Sequence, residues 1–276
     1  MKLALLADIH ANYPALEAVA AHIAAWQPDE VILAGDVINR GPSPKACLDF
    51  VVDKVATSGW KVIKGNHEDY VLDWLKPEAH ADPFHADLHQ ISYWTWEQLY
   101  RSPEPFRIWP DQISVQAPDG TEVRCVHASV RNNRDSIWPI TPLADMRLKI
   151  GPNPPSTLLV GHTHIPLVRC IDNTLVVNCG SVGMPFDRDT RASYAQLVWQ
   201  HDAWYSRIVR VDYDRAQTEH DYSTSGYLAL PMAELTLREL REGRSQLFEW
   251  TEAYQKAILD RTMTVRESVR LQLQRP

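Results

Sequence analysis

No stretch of these 276 residues approaches the roughly 20 consecutive apolar positions that a membrane-spanning helix needs, and no membrane association is expected. The opening MKLALLAD has one lysine and an apolar run that stops at Asp8, too short for a secretory leader and without a small-residue cleavage site. Cysteine is scarce. Cys47, Cys125, Cys170 and Cys179 form neither a CxxC pair nor a dense framework, which argues against a disulfide scaffold and points to reduced core residues in a cytoplasmic protein. Glycine is sparse as well, 11 against 19 prolines, so no low-complexity segment is expected. Positive charge is outnumbered, with 28 Lys and Arg against 35 Asp and Glu and a formal net charge of -7. That balance disfavours a protein that coats nucleic acid by neutralising phosphates. It leaves room for a small phosphate-bearing guest, because bound metal ions can supply positive charge locally.

What is present is the make-up of an ordinary soluble globular protein, 45% hydrophobic and 23% charged. The length suits one large α/β domain with a modest appendage. One pattern recurs: a short, apolar, β-branched run that ends abruptly in a polar cluster. LALLADIH (3–10), EVILAGDV (30–37), WKVIKGNH (60–67), VRCVHAS (123–129), TLLVGHTH (157–164) and TLVVNCGS (174–181) all fit it and read as buried strands. Between the first three lie helical stretches. Residues 13–26 carry apolar positions at helical spacing, and residues 43–59 start with Ser-Pro and end at a glycine. Strands alternating with helices predict a parallel sheet whose ligands collect at the carboxyl ends of its strands, where every one of these polar clusters lies.

Two regions depart from the pattern. Residues 70–111 hold His80, His85, His89, Trp94, Trp96 and Trp109 among several prolines, which predicts an inserted helical cap. Its tryptophans are expected to pack the insertion onto the core rather than to stack on a substrate. Residues 192–213 read as a β-hairpin turning at HDAW. The tail from about 231 to 276 is helical in composition, with MAELTLRELREG predicted to stop at Gly243. The whole of 1–276 is expected to form one domain with that insertion and extension.

Asp8, His10, Asp36, Asn66, His127, His162 and His164 all sit at predicted strand ends. Each offers an oxygen or a neutral imidazole nitrogen suited to divalent transition metals, with no thiolate among them. Seven such donors are too many for one ion and suit two, particularly if one carboxylate bridges.

In that order, DIH, GDVINRG, GNHE, VHAS and GHTH resemble the five-block pattern of the calcineurin-like metallophosphoesterase superfamily. The resemblance runs from residue 8 to residue 164, continues into NCGSVGMP (178–185), and is nearest to the small prokaryotic phosphodiesterase branch. It implies an α/β fold, a four-layer αββα sandwich of two mixed sheets flanked by helices, with residues 174–213 supplying strands of the second sheet. It also implies two divalent ions, manganese first and iron, nickel or zinc as alternatives. Asp8, His10, Asp36 and His164 would hold one; Asp36 would bridge to a second held by Asn66, His127 and His162. Such ions share a water or hydroxide placed for in-line attack on phosphorus. With two carboxylates and one hydroxide the local charge is roughly +1, which suits a phosphate ester. His67 would face the leaving-group oxygen as proton donor.

Arg40 occupies the place of an arginine that binds substrate phosphate in Ser/Thr protein phosphatases and dinucleoside tetraphosphatases, as its planar fork suits. Asn39, however, stands where those enzymes carry an aspartate that orients the catalytic histidine. Asn66 and His67 complete the expected substrate contacts. Glu68 and Asp69 read as first-turn acids favoured by the helix dipole, and Arg131 and Arg134 as solvated surface residues. The expected activity is hydrolysis of a small phosphodiester, nucleotides included. A phosphomonoesterase and a metal-occupied scaffold without chemistry are the alternatives. Substrate identity and oligomeric state stay open.

Overall fold

The computed structural model describes residues 1–275. The first half runs β1 (Lys2–Leu6), α1 (Tyr13–Trp26), β2 (Glu30–Leu33), α2 (Pro44–Ser58), β3 (Lys61–Val62) and α3 (Asn66–Leu72). The insertion follows with α4 (Pro83–Leu88), α5 (Gln90–Gln98) and α6 (Glu104–Arg107). Then come β4 (Gln112–Gln116), β5 (Glu122–Val126), α7 (Leu143–Ile150), β6 (Thr157–Val160), β7 (Leu167–Ile171), β8 (Thr174–Asn178), β9 (Ala192–Gln200) and β10 (Ala203–Val211). The chain closes with α8 (Arg215–Thr224), α9 (Ala233–Glu242), α10 (Gln246–Leu259) and α11 (Val265–Leu273). No described helix is long and apolar enough to cross a membrane.

Two five-stranded mixed sheets, ordered β10-β9-β1-β2-β3 and β4-β5-β6-β8-β7, stack face to face. The two-residue alternation of β1 shows why its run is apolar throughout. Leu3, Leu5 and Ala7 enter the core between the sheets with Val123, Cys125, Leu159 and Val177, while Ala4 and Leu6 face α1 and α2. On the far side, Leu158, Val160 and Val176 pack against Met146 and Ile150 of α7. The layers are therefore α, β, β, α, as expected. Local chemistry sets the helix ends: the Asn12 side chain caps α1 by accepting from the Ala15 N–H at 3.3 Å, and Gly59 closes α2 at φ +68°.

Four features differ from the sequence expectation. The hairpin β9–β10 turns at His201 and Asp202 as predicted, but it joins the first sheet rather than the second. There β9 pairs antiparallel with β1, from Lys2 opposite Val198 to Leu5 opposite Ala195, and covers an edge that β2 leaves open. Strands β4 and β7 were not foreseen. Both are edge strands broken by polar residues, the exposed Gln112, Ser114 and Gln116 in β4 and the half-buried Arg169 in β7, so neither forms an unbroken apolar run. Cys170, on β7, is exposed and not a core residue. Finally, α8 precedes the expected tail, and the tail does not stand alone: Tyr227, Leu235 and Trp250 share a core with Ile91 and Trp94 of the insertion. The Met232 N–H donates to Gln90 Oε1 at 3.2 Å across that seam. Trp96 and Trp109 pack into the main core, in keeping with a packing role for the insertion's tryptophans.

Candidate metal centre

The parallel strands of both sheets end at one edge. Asp8 and His10 leave β1, Asp36, Asn39 and Arg40 leave β2, Asn66 and His67 open α3, His127 leaves β5, and His162 and His164 leave β6. Seven of these residues adopt left-handed backbone: Asp8 (φ +56°), His10 (+48°), Asp36 (+55°), Asn39 (+69°), Arg40 (+66°), His162 (+69°) and His164 (+57°). Such backbone costs about 1–3 kcal/mol per non-glycine residue and persists only where its surroundings impose it. Here the loops impose it on one another: His10 N donates to Asp36 O at 3.0 Å, and His162 N to Asp8 Oδ2 at 2.9 Å. Gly65 is obligatory for a different reason, because a Cβ there would lie 2.0 Å from Asp36 Oδ1.

The side chains form two donor groups. In the first, His10 Nε2 and His164 Nε2 lie 3.0 Å apart, with Asp8 Oδ1 3.5 Å from His164 Nε2. In the second, Asn66 Oδ1 lies 2.9 Å from both His127 Nε2 and His162 Nδ1, and Asp36 Oδ2 lies 3.2 Å from His127 Nε2. Asp36 links them. Its Oδ1 accepts the His67 N–H at 2.9 Å, which leaves Oδ2 facing His127 on one side and His10 Nε2, at 3.7 Å, on the other.

Several observations bear on whether a cation fits. Asp8 Oδ1 is buried without a hydrogen-bond partner, a costly state for a carboxylate oxygen unless a cation meets it. His127 and His164 each donate Nδ1–H to a backbone carbonyl, Ala34 O and Met184 O, both at 2.6 Å. Their Nε2 lone pairs therefore point into the site, as outer hydrogen bonds of metal-ligating histidines arrange. His127 Nε2 then confronts Asp36 Oδ2, acceptor against acceptor. A proton relieves this: burial disfavours the His127 imidazolium, but the Asp36 carboxylate outweighs burial and raises its pKa to about 10. Burial holds the other imidazoles neutral, His10 and His164 well below their ordinary value and His162 at about 4. Neutral nitrogens and carboxylate oxygens, buried together, fit divalent transition metals.

A proton on His127 must leave when a metal arrives. Metal affinity is therefore expected to rise by up to about tenfold per pH unit between neutrality and the His127 pKa. Titration calorimetry of Mn²⁺ binding in buffers of differing ionisation heat should register roughly one proton released; affinity independent of pH across that range would contradict it.

The surrounding residues set orientation. Glu68, fully buried, accepts from the N–H groups of Gly65 (2.7 Å), Asp36 (2.9 Å) and Val37 (2.8 Å). It is a first-turn acid, but its observed work is tying the β2 loop to α3, which its sequence position alone does not reveal. Asp69 accepts from Asn133 Nδ2 at 2.6 Å. Asn39 Oδ1 accepts from Arg40 N at 3.0 Å and from the Thr95 hydroxyl at 3.2 Å, which settles the orientation of its amide. Its Nδ2 then donates to His67 Nδ1 at 2.9 Å. Neutral His67 thus carries its proton on Nε2, and burial drives the imidazolium pKa down to about 3. His67 also converges with His10 and Asp36; with Nδ1 taken and Nε2 protonated, it is a hydrogen-bond donor there rather than a ligand.

Arg40 is largely buried, and its Nη2 donates to Glu239 Oε2 of α9 at 2.6 Å. The guanidinium lies 5.4 Å from the Phe186 ring, which stacks on His164 at 4.3 Å. Glu239 and Phe186 were not anticipated; both act on the site through contacts distant in sequence. Arg131 and Arg134 are exposed, the first paired with Asp135 and the second over Tyr70. His22 bonds the Tyr194 hydroxyl, His80 bonds Trp74 O, and His89 lines a cavity beside His67.

The comparisons with known proteins agree with this geometry. Residues 1–202 match the model of the calcineurin-like phosphoesterase superfamily domain. An uncharacterized protein of Methanocaldococcus jannaschii is 26% identical over 227 residues, 77% of this chain and 88% of its own. A metallophosphoesterase of Sphaerobacter thermophilus superposes with a TM-score of 0.70 at 26% identity, over 88% of this chain and 99% of that one. A hypothetical protein of Pyrococcus horikoshii OT3 shares the fold, with a TM-score of 0.75 at 24% identity over 88% and 98%. With most of its length matched and the sheet edge built as described, the chain belongs to the calcineurin-like phosphoesterase superfamily.

Proposed function

We propose that this chain hydrolyses a small phosphodiester, nucleotide-type substrates included, with the help of two divalent metal ions. One observation carries the reading: two buried donor groups meet at Asp36 Oδ2, beside an Asp8 Oδ1 that has no partner of its own. Asp8, His10, Asp36 and His164 would hold one ion, and Asp36, Asn66, His127 and His162 the other. Manganese is the first choice, with iron, nickel and zinc able to use the same ligands. When bound, such a pair of ions supplies a nucleophile at neutral pH and offsets charge on the phosphoryl group.

The chain's own residues do the rest. His67 offers its Nε2–H to the leaving-group oxygen, and Asn39 holds it in that tautomer. Arg40 lines the cavity beside His67, placed to meet a phosphoryl oxygen. Its charge is already matched by Glu239, which favours the single charge of a diester over the dianion of a monoester. Membership of the superfamily and similarity to the Sphaerobacter thermophilus metallophosphoesterase support the reading.

The test compares bis(p-nitrophenyl) phosphate with p-nitrophenyl phosphate, using manganese-loaded protein and a chelated control. A diester preference that disappears on chelation is the expected result. Monoester preference would favour the phosphomonoesterase alternative, and no turnover with two ions bound would favour the scaffold.

A further inference from the structure

A cavity of about 300 Å³ opens beside His67 and Arg40, between the insertion and the C-terminal helices. Its volume is at the small end of ligand sites, which run from roughly 300 Å³ upward. The insertion contributes Leu88 and Ile91, and the tail contributes Met232, Leu247 and Trp250, with Tyr70 of α3 at the metal side. Leu247, Thr251 and Gln255 recur every four residues along α10, so one helical face forms a wall. Among the described lining residues Arg40 is the sole charged side chain, and Glu239 has taken its Nη2.

We infer that this cavity receives the leaving-group side of the phosphoester, and that it selects an uncharged, flat aromatic ring on that side. The inference rests on the phosphoesterase reading above. His67 is the link: it faces His10 edge-on at 4.7 Å and also lines the cavity. A phosphoryl group at the metal centre, with its leaving oxygen toward His67, sends the departing alcohol into this space. Two aromatic and four aliphatic walls suit a ring that stacks on one side and packs on the other. A second phosphate or an acidic peptide would find no unpaired cation there. Long polyphosphates and phosphoproteins are therefore poor guests. A nucleobase and a phenyl ring share the required chemistry.

Nucleoside 2′,3′-cyclic phosphates test this against ribose 2′,3′-cyclic phosphate, which has the same leaving oxygens and no base. The cyclic phosphate of 3-phenylpropane-1,2-diol, against that of propane-1,2-diol, tests the phenyl arm. For the manganese-loaded protein, kcat/KM is expected to be at least about tenfold higher with a ring than without it, since burying a ring is worth more than the roughly 1.4 kcal/mol this requires. Preference for the base alone assigns a nucleobase pocket; preference for both rings assigns a general aromatic one. Thr251→Trp fills the cavity and is expected to bring the ratio toward one. Gln255→Trp, on the exposed end of the same face, serves if the first variant folds poorly, as judged by its metal content. Equal rates with and without the ring, or a preference that survives both substitutions, overturn the cavity assignment alone. No turnover of any diester with both ions bound overturns the phosphoesterase reading and this inference with it.

Discussion

Replacing Asp36 by Asn is expected to abolish metal binding at the second group and to lower kcat/KM by roughly 10³-fold or more, the scale of losing a principal electrostatic element. Asp36 faces both donor groups, with Oδ2 3.2 Å from His127 Nε2 and 3.7 Å from His10 Nε2. Burial alone would favour its protonated form. The surrounding imidazoles, His127 foremost, overcome burial and hold its pKa well below the carboxylate range, so the site is built around an ionised oxygen. An amide of the same shape keeps the Oδ1 contact with His67 N and can donate to His127 Nε2. The fold should therefore survive while metal affinity is lost. Metal content by mass spectrometry, thermal melting and turnover of the diester are measured together. Two ions per chain with undiminished rate in the variant would rule out the bridging role.

The second large effect concerns His67. His67→Ala is expected to keep both ions and to lower the rate by about 10²–10³-fold for esters with alkyl leaving groups. With p-nitrophenolate, which departs without a proton, the loss should be small, so the variant steepens the dependence of rate on leaving-group pKa. A uniform loss across leaving groups would show that His67 acts by shaping the site rather than by donating a proton.

Asn39 sharpens this expectation. Because its amide donates to Nδ1, neutral His67 presents Nε2–H, and the imidazolium pKa near 3 places no His67 titration between pH 5 and pH 9. In Asn39→Asp the carboxylate accepts at Nδ1 and raises the His67 pKa. The proton is then lost within the working range, and the rate should acquire a new basic limb. An unchanged pH profile in that variant would remove Asn39 from the mechanism.

The readable part of the molecule was the part with local chemistry. Apolar runs ending in polar clusters located six strands, and Ser-Pro and Gly signals bounded α2 to within a residue. Strands β4 and β7 escaped because an edge strand with one solvated face has no apolar run to mark it. The hairpin was visible but its sheet was not, since pairing with β1 depends on which edge the helices leave uncovered. The five motif blocks named the side chains at the sheet edge. They said nothing of Glu68, whose position in a first turn explains its helix and not its three backbone N–H partners.

Residue order alone was enough for the strands, the first helices and the choice of oxygen and imidazole donors at one sheet edge, because periodicity and side-chain chemistry are properties of short segments. Packing decided what the segments do together. It drew donors from β1, β2, β3, β5 and β6 into two groups joined at Asp36, turned His127 and His164 so that Nε2 faces inward, and gave His67 its tautomer through Asn39. It also carried Glu239 across 199 positions to Arg40 and closed a cavity between an insertion and a tail. Contacts of that range leave no trace in local composition, since either partner is an ordinary surface residue until the chain brings the other to it.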